Sequence, residues 1–165
     1  MAVINMLPGG VGDKGYTIFK WLENGVLDTS VFGGLQAYHE TNGRDNTATM
    51  ATDGYLRLWA VSSSYGMARV YTQNYFPKNQ FDYALVHIVD YSIVHNTYPI
   101  VFGGATTKNA TQIPSYSTTS IGSAQSDVWF ATPLTTMNSD PTEIYWGFGG
   151  SIDVKIDKVY FIKIS

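Results

Sequence analysis

The sequence predicts an all-β protein, an antiparallel β-sandwich of the jelly-roll type that follows a short N-terminal arm. Short runs of β-branched and aromatic residues recur along the chain, and turn residues separate them at intervals of about 10–15 residues. Helical periodicity is scarce throughout. A chain of 165 residues is long enough for one domain with a substantial core. We therefore divide it into an attachment arm, 1–15, and a sandwich domain, 16–165.

The sandwich begins with a predicted hairpin. Residues 16–22 are β-branched and aromatic, Asn24-Gly25 supplies a tight turn, and 26–32 form the returning strand. Three further strands are predicted over 35–39, 55–61 and 67–75. In the strand 55–61, Tyr55, Arg57 and Trp59 share one face, because side chains alternate across a strand, and the apolar residues between them share the other.

The C-terminal half contains the most apolar stretch, 83–91, which we expect inside a sheet. The Ser/Thr-rich stretch 106–126 holds one edge strand at most. Other strands are predicted over 98–102, 127–131, 143–148 and 151–164. In the last of these, apolar residues alternate up to Ile156 and resume one step out of phase at Val159, which predicts a β-bulge near Asp157.

Phe-Gly-Gly occurs three times, beginning at Phe32, Phe102 and Phe148. Glycine reaches positive φ at little cost, so each copy is interpreted as a strand end where the chain bends. The unequal separations of the three copies argue against a repeat architecture.

Composition excludes several classes of function. Charged residues make up 14% of the chain, below the usual ~25%, and the net charge of −3 provides no basic field for a nucleic acid. There is no cysteine, so disulfides and thiolate chemistry are absent. No apolar run approaches the ~20 residues of a membrane span, and we expect no membrane insertion.

Catalytic motifs are also missing. The three histidines lack metal-ligand spacing, and His87 is interpreted as a hydrogen-bonded core or interface residue because it alternates with apolar neighbours. Candidate carboxylates such as Asp53, Asp82 and Glu143 fall in turns or at strand edges, where a solvated role is the default. We predict that the chain is not an enzyme.

The loop 42–46 carries oxygen ligands suited to Ca²⁺ but has no EF-hand pattern. We expect no cofactor, with calcium in this loop as the alternative, and the sequence leaves the metal question open.

Aromatic residues next to polar ones indicate a glycan-binding surface. The candidates are Tyr55, Arg57 and Trp59 on one strand, with Asp127 and Trp129 on another. A flat ring packs against the C–H face of a sugar while its polar neighbours bind hydroxyl groups. The alternative is that these tryptophans pack in a second layer or at a subunit interface. Trp146, between apolar neighbours, is expected in the core.

The first seven residues are mostly apolar, with Asn5 interrupting them, and Pro8 and several glycines follow. They lack the charged start and cleavage site of a secretory signal. We predict an attachment arm that docks through Val3, Ile4, Met6, Leu7 and Pro8. An ordinary first strand or a frayed terminus is the alternative.

The opening Asn5-Met6-Leu7-Pro8-Gly9-Gly10 resembles the start of bacteriophage and prophage structural proteins of the tail or head-fibre type. The rest, most clearly 55–58, 81–88 and 156–161, is similar to the small jelly-roll domains of these proteins, which are themselves like carbohydrate-binding modules. The resemblance implies a non-enzymatic virion component: a fibre, tail or capsid decoration protein. It would be assembled in the host cytoplasm and bound through its arm to other virion proteins and to sister subunits in a homotrimer. The alternative is a glycan-binding module that recognises a host-surface receptor.

Overall fold

The computed structural model describes residues 15–39, 47–50, 53–59, 68–93, 100–105, 116–121, 125–134, 142–150 and 152–165. These residues form 13 β-strands. The strands are β1 (Tyr16–Glu23), β2 (Val26–Leu27), β3 (Leu35–His39), β4 (Thr47–Met50), β5 (Leu56–Trp59), β6 (Ala68–Thr72), β7 (Phe76–Pro77), β8 (Tyr83–Ile93), β9 (Ile100–Ala105), β10 (Tyr116–Ile121), β11 (Gln125–Pro133), β12 (Glu143–Gly150) and β13 (Ile152–Ile164). Within these ranges no helix has the length and apolar character needed to cross a membrane.

All strand pairs are antiparallel, and they form two sheets. The seven-stranded sheet has the order β11-β8-β13-β1-β2, and β5, which pairs with β4, joins β13 beyond the end of β1. The six-stranded sheet has the order β10-β9-β12-β6-β3, with β7 paired to β12. The predicted antiparallel β-sandwich is confirmed. The apolar stretch 83–91 lies in the interior strand β8, and the Ser/Thr-rich stretch contributes the edge strand β10, both as predicted.

The core between the sheets is built on aromatic rings. Trp21 of β1 and Trp146 of β12 are completely buried and meet edge to face with ring centroids 6.1 Å apart. Phe32 and Phe161 pack against the same Trp21 ring at 5.8 and 6.0 Å. Each fully buried aromatic side chain contributes about 2–3 kcal/mol through removal of apolar area from water. The prediction that Trp146 lies in the core is confirmed.

The predicted hairpin forms, with a shorter second strand than expected. Asn24 and Gly25 both have positive φ, 51° and 83°, as a type I′ turn requires. The returning strand is only Val26–Leu27, because Asp28 accepts a hydrogen bond from the Ser30 amide over 2.8 Å and turns the chain. The chain then runs to Phe32, whose ring enters the core.

Only part of the Phe-Gly-Gly prediction is correct. Gly33 and Gly34 have positive φ, and the third copy ends β12. Gly103 and Gly104, however, lie inside β9, paired to β10 and β12. An extended glycine fits a strand interior as well as a bend, and hydrogen bonding to a strand on each side keeps this pair extended.

The predicted bulge is present in β13. The pairing register with β8 shifts between Lys155 and Ile156 and again between Ile156 and Lys158, so Asp157 of β13 and Val89 of β8 both lie outside the regular pairing. Val154, Ile156 and Val159 consequently all point into the core although their spacing is uneven. The bulge also brings the side chains of Asp157 and Lys158 together, with Lys158 Nζ 2.6 Å from Asp157 Oδ2.

Candidate functional site

The seven-stranded sheet carries a second apolar cluster on the face turned away from the core, called here the outer face. Leu85, Tyr160 and Ile162 are buried there. Four partly buried residues pack around them: Tyr83, Trp129, Ala131 and Ile164. An apolar group on a surface not used for folding is a feature of binding sites.

Strand register explains how distant segments meet on the outer face. Trp129 of β11 lies opposite His87 of β8, and His87 lies opposite Lys158 of β13. Lys158 in turn lies opposite Glu23 of β1. Residues directly opposite each other on antiparallel strands point to the same face. Four strands therefore deliver one row of an aromatic ring, an imidazole, an ammonium group and a carboxylate.

Trp129 is the aromatic centre of this face. Its half-buried ring lies 4.9 Å from the His87 ring and 5.5 Å from the Tyr160 ring, measured between centroids. The ring planes are inclined by 42° and 50°, so the three rings form a faceted surface. Trp21 and Trp146 are completely buried. Among the tryptophans whose side chains the structure describes, Trp129 is therefore the one that is partly exposed.

His87 is the centre of a polar chain beside Trp129. Its Nδ1 lies 2.5 Å from Asp157 Oδ1 and its Nε2 lies 3.0 Å from Asp127 Oδ1. Lys158 Nζ contacts the second oxygen of Asp157 at 2.6 Å. Burial alone would raise the pKa of Asp157, but the hydrogen bonds from Lys158 and His87 outweigh it and lower that pKa. The expectation that His87 is hydrogen-bonded is confirmed, although it lies on the outer face rather than in the core.

A second group of polar contacts lies at β1, on the same outer face. The Tyr160 hydroxyl donates to Glu23 Oε1 over 3.0 Å, and Lys20 Nζ lies 2.9 Å from Glu23 Oε2. Burial, together with the contact to Glu23, raises the pKa of Tyr160 far above its ordinary range. The hydrogen bond from Lys20 has the largest effect on Glu23 and lowers the pKa of that carboxyl. Lys20 also lies 5.4 Å from the centroid of the Tyr160 ring.

The structure brings the predicted candidates Tyr55 and Arg57 to the same outer face, toward the end of the sheet formed by β5. Arg57 lies opposite Lys155 in the register and binds Asp153 at both ends of its guanidinium, with Nε–Oδ1 3.1 Å and Nη2–Oδ2 3.0 Å. These hydrogen bonds raise the pKa of Arg57. Lys155 Nζ lies 5.6 Å from the centroid of the Tyr55 ring. Trp59 is placed in β5 by its backbone, and its side chain is outside the described residues.

Sequence reasoning missed several residues of this face, among them Glu23, Asp157, Lys158 and Tyr160. The signal for Asp157 and Lys158 was the phase shift that revealed the bulge, since a bulge turns two consecutive side chains toward one face. His87 was considered and interpreted as structural, because sequence gives no indication that two aspartates distant in the chain flank it.

Other predicted sites fall outside the described residues. They are the attachment arm with Val3, Ile4, Met6, Leu7 and Pro8, and the proposed calcium loop 42–46. Within the described part of the chain, no three histidine or carboxylate side chains are placed to hold a metal ion.

The six-stranded sheet has an aromatic pair of its own. Tyr75 is 49% exposed, and its ring lies against Tyr145 with centroids 3.8 Å apart. Tyr145 belongs to a small cluster with Tyr71 and Ala105. Within this cluster the buried Tyr71 lies across Gly147, where an added Cβ would come within 2.4 Å of its ring.

Solved structures similar to this chain include family 29 carbohydrate-binding modules. One from Piromyces equi has a TM-score of 0.55 and 11% identity over 90% of this chain and 91% of that chain. A variant module solved with mannohexaose has a TM-score of 0.56 and 10% identity, covering 90% of this chain and 92% of that one. A variant solved with cellulohexaose has a TM-score of 0.54 and 10% identity, covering 89% and 91%.

No protein-family model and no curated protein sequence matches the chain. At about one identical residue in ten, the structural likeness shows the fold alone: a jelly-roll β-sandwich like that of non-catalytic carbohydrate-binding modules.

Proposed function

We propose that this chain is a non-catalytic glycan-binding module whose sugar-binding surface is the outer face around Trp129. The observation that carries the proposal is the half-buried Trp129 ring set beside His87 and beside the Asp127 carboxylate, which is 92% exposed. Sugars present C–H faces that pack on flat rings and hydroxyl groups that need hydrogen-bond partners. A ring flanked by an accessible carboxylate supplies both requirements in one place.

The state of the carboxylates favours binding over catalysis. Glycoside hydrolysis uses a pair of carboxylates that are free to exchange a proton or to attack the sugar. On the outer face, both oxygens of Asp157 are already engaged, one by His87 and one by Lys158. Asp127 is accessible to a ligand. Asp157, however, cannot serve as its catalytic partner, because both Asp157 oxygens are engaged.

Charge balance supports an uncharged ligand. The carboxylates around the rings already have partners: Glu23 contacts Lys20, Asp157 contacts Lys158 and His87, and Asp127 contacts His87. Because these groups are engaged with one another, the surface favours a neutral sugar over an ionic one. Modules with this fold have been solved with mannohexaose and cellulohexaose, so these neutral oligosaccharides are the first probes.

The test is calorimetric titration of the full chain with mannohexaose and with cellulohexaose. We expect at least one of them to bind, and Trp129→Ala to weaken binding by about thirtyfold, which corresponds to a loss of ~2 kcal/mol. Trp129→Phe should recover part of the affinity, because a flat ring is retained. Thermal unfolding of each variant verifies that the sandwich is intact.

Tyr75→Ala is the matched control, because it removes a half-exposed ring from the opposite sheet. It should bind as the unchanged protein does. Loss of binding in Tyr75→Ala with normal binding in Trp129→Ala would contradict the proposal and move the site to the six-stranded sheet. Trp59→Ala and Arg57→Ala measure how far the surface extends along β5.

The virion role stays a prediction, because it depends on residues 1–10, which lie outside the described residues. It is compatible with glycan binding, since a virion component that recognises a host glycan would use the same outer face. Light scattering of the full chain and of a chain lacking residues 1–10 tests it. A trimer that dissociates without the arm would support it.

A further inference from the structure

His87 contacts a carboxylate through each of its two ring nitrogens. Asp157 Oδ1 lies 2.5 Å from Nδ1, and Asp127 Oδ1 lies 3.0 Å from Nε2. An ionised carboxylate only accepts hydrogen bonds, and a neutral imidazole donates from just one nitrogen. Both contacts are therefore hydrogen bonds only when His87 is protonated.

The two aspartates differ in solvent exposure, and this difference determines which hydrogen bond remains when His87 loses a proton. The side chain of Asp157 is 13% exposed and that of Asp127 is 92% exposed. A buried acceptor without a donor costs more free energy than an exposed one, because water can hydrogen-bond to the exposed acceptor. The remaining N–H therefore stays at Nδ1, with Asp157, and Nε2 turns a lone pair toward Asp127.

Asp127 is held in an unusual backbone conformation. Its φ is 52°, in the left-handed region that non-glycine residues seldom occupy. Such a conformation persists where neighbouring contacts favour it, and it is common at binding sites. The hydrogen bond from His87 is one such contact, and it fixes an otherwise solvent-exposed carboxylate two residues from Trp129.

We infer that His87 is a positioning residue, which in its protonated form holds Asp127 ready to accept hydrogen bonds from sugar hydroxyls. The inference rests on the proposed glycan-binding function and adds a direction to it: affinity falls as pH rises and His87 loses its proton. Neutral sugars do not titrate here, so the change belongs to the protein.

The other groups facing His87 do not produce the same effect. From β13 it is faced by Asp157, Lys158 and the neutral Tyr160, and from β11 by Asp127 and the Trp129 ring. Carboxyl, ammonium and phenol groups ordinarily keep one charge state around neutral pH. A pH-dependent change in this cluster is therefore assigned to the imidazole.

The first test uses the protein without sugar. NMR titration from about pH 5 to about pH 8 follows the His87 imidazole, the Asp127 carboxyl carbon and the Trp129 indole. All three should move with one midpoint, and in His87→Gln the Asp127 and Trp129 signals should stay constant, since glutamine donates a hydrogen bond without titrating. An Asp127 signal that ignores the titration of His87 would overturn the inference.

The second test measures the Kd for mannohexaose and cellulohexaose over the same pH range. We expect affinity to fall about tenfold as pH rises, the size of one lost charge-assisted hydrogen bond, and to be independent of pH in His87→Gln. Asp127→Asn, an exposed change that leaves the fold intact, should bind weakly at every pH. Tight, pH-independent binding by the unchanged protein would overturn the inference. If neither sugar binds at any pH, the proposed function fails, and the NMR titration still decides the role of His87.

Discussion

The backbone amide of Asn24 donates a hydrogen bond to the carbonyl of Asp157 over 2.8 Å. This contact joins the β1–β2 turn to the bulge in β13. A bulge leaves backbone groups outside the regular ladder, and buried ones need partners. The turn supplies one, and so a local feature of the first hairpin helps to hold the residue that anchors His87.

Replacing Gly25 by alanine tests this connection. Gly25 has φ 83°, and a Cβ there would lie 2.6 Å from the Cα of Gly54. We expect a loss of about 1–3 kcal/mol in the free energy of unfolding, measured by urea denaturation, together with shifted His87 resonances. Gly15→Ala is the control, because its Cβ would meet only the Ser165 side chain, at 3.3 Å or more. Unshifted His87 signals in a destabilised Gly25→Ala would argue that the turn and the bulge are independent.

Tyr160→Phe removes the hydrogen bond to Glu23 and keeps the ring that packs on Trp129. We expect a loss of about 1 kcal/mol in stability and a rise in the pKa of Glu23. Tyr16→Phe, at a 41% exposed position, should cost almost nothing. In the unchanged protein, ultraviolet titration at alkaline pH should show Tyr160 ionising last, since burial and Glu23 raise its pKa. Ionisation of Tyr160 together with the exposed tyrosines would contradict this.

The pH dependence of stability follows from Asp157. Its pKa is lowered in the folded state, so its contribution is present above the ordinary aspartate value of 3.8 and is lost as pH falls through that value toward the folded one. We expect Asp157→Asn to destabilise the protein at neutral pH and to reduce the loss of stability on acidification. Asp53→Asn, which removes the same charge from an exposed turn, is the control. Equal profiles for Asp157→Asn and the unchanged protein would show that Asp157 carries no pH-linked stability.

Sequence alone predicted the two-sheet architecture, the Asn24-Gly25 turn and the bulge at Asp157, because each depends on residues close together in the chain. It also placed Tyr55 with Arg57, and Asp127 with Trp129, on shared faces. The sequence did not predict that these two pairs lie on one outer face. That arrangement depends on β13 pairing with both β5 and β8, and the paired residues are 59 (Ile152 and Ile93) to 100 (Ile156 and Leu56) positions apart, a separation that alternation does not encode. The hydrogen bonding of His87 was predicted, but for the same reason its two aspartate partners were not.

Arg57 and Asp153 offer a test of the predicted extension of the site along β5. Their contact has two hydrogen bonds, but the side chains are 36% and 29% exposed, so solvent screens the pair. A double-mutant cycle with Arg57→Ala and Asp153→Ala, measured by urea denaturation, should give a coupling energy of about 0.5–1 kcal/mol. The control cycle pairs Asp153→Ala with Lys163→Ala, ten positions along the same strand and about 30 Å away, where additivity is expected. In sugar titrations Asp153→Ala should change the affinity if the Arg57 guanidinium contacts the ligand, because the substitution removes one partner of that group and keeps the group itself. A coupling energy near zero would contradict a stabilising pair between Arg57 and Asp153.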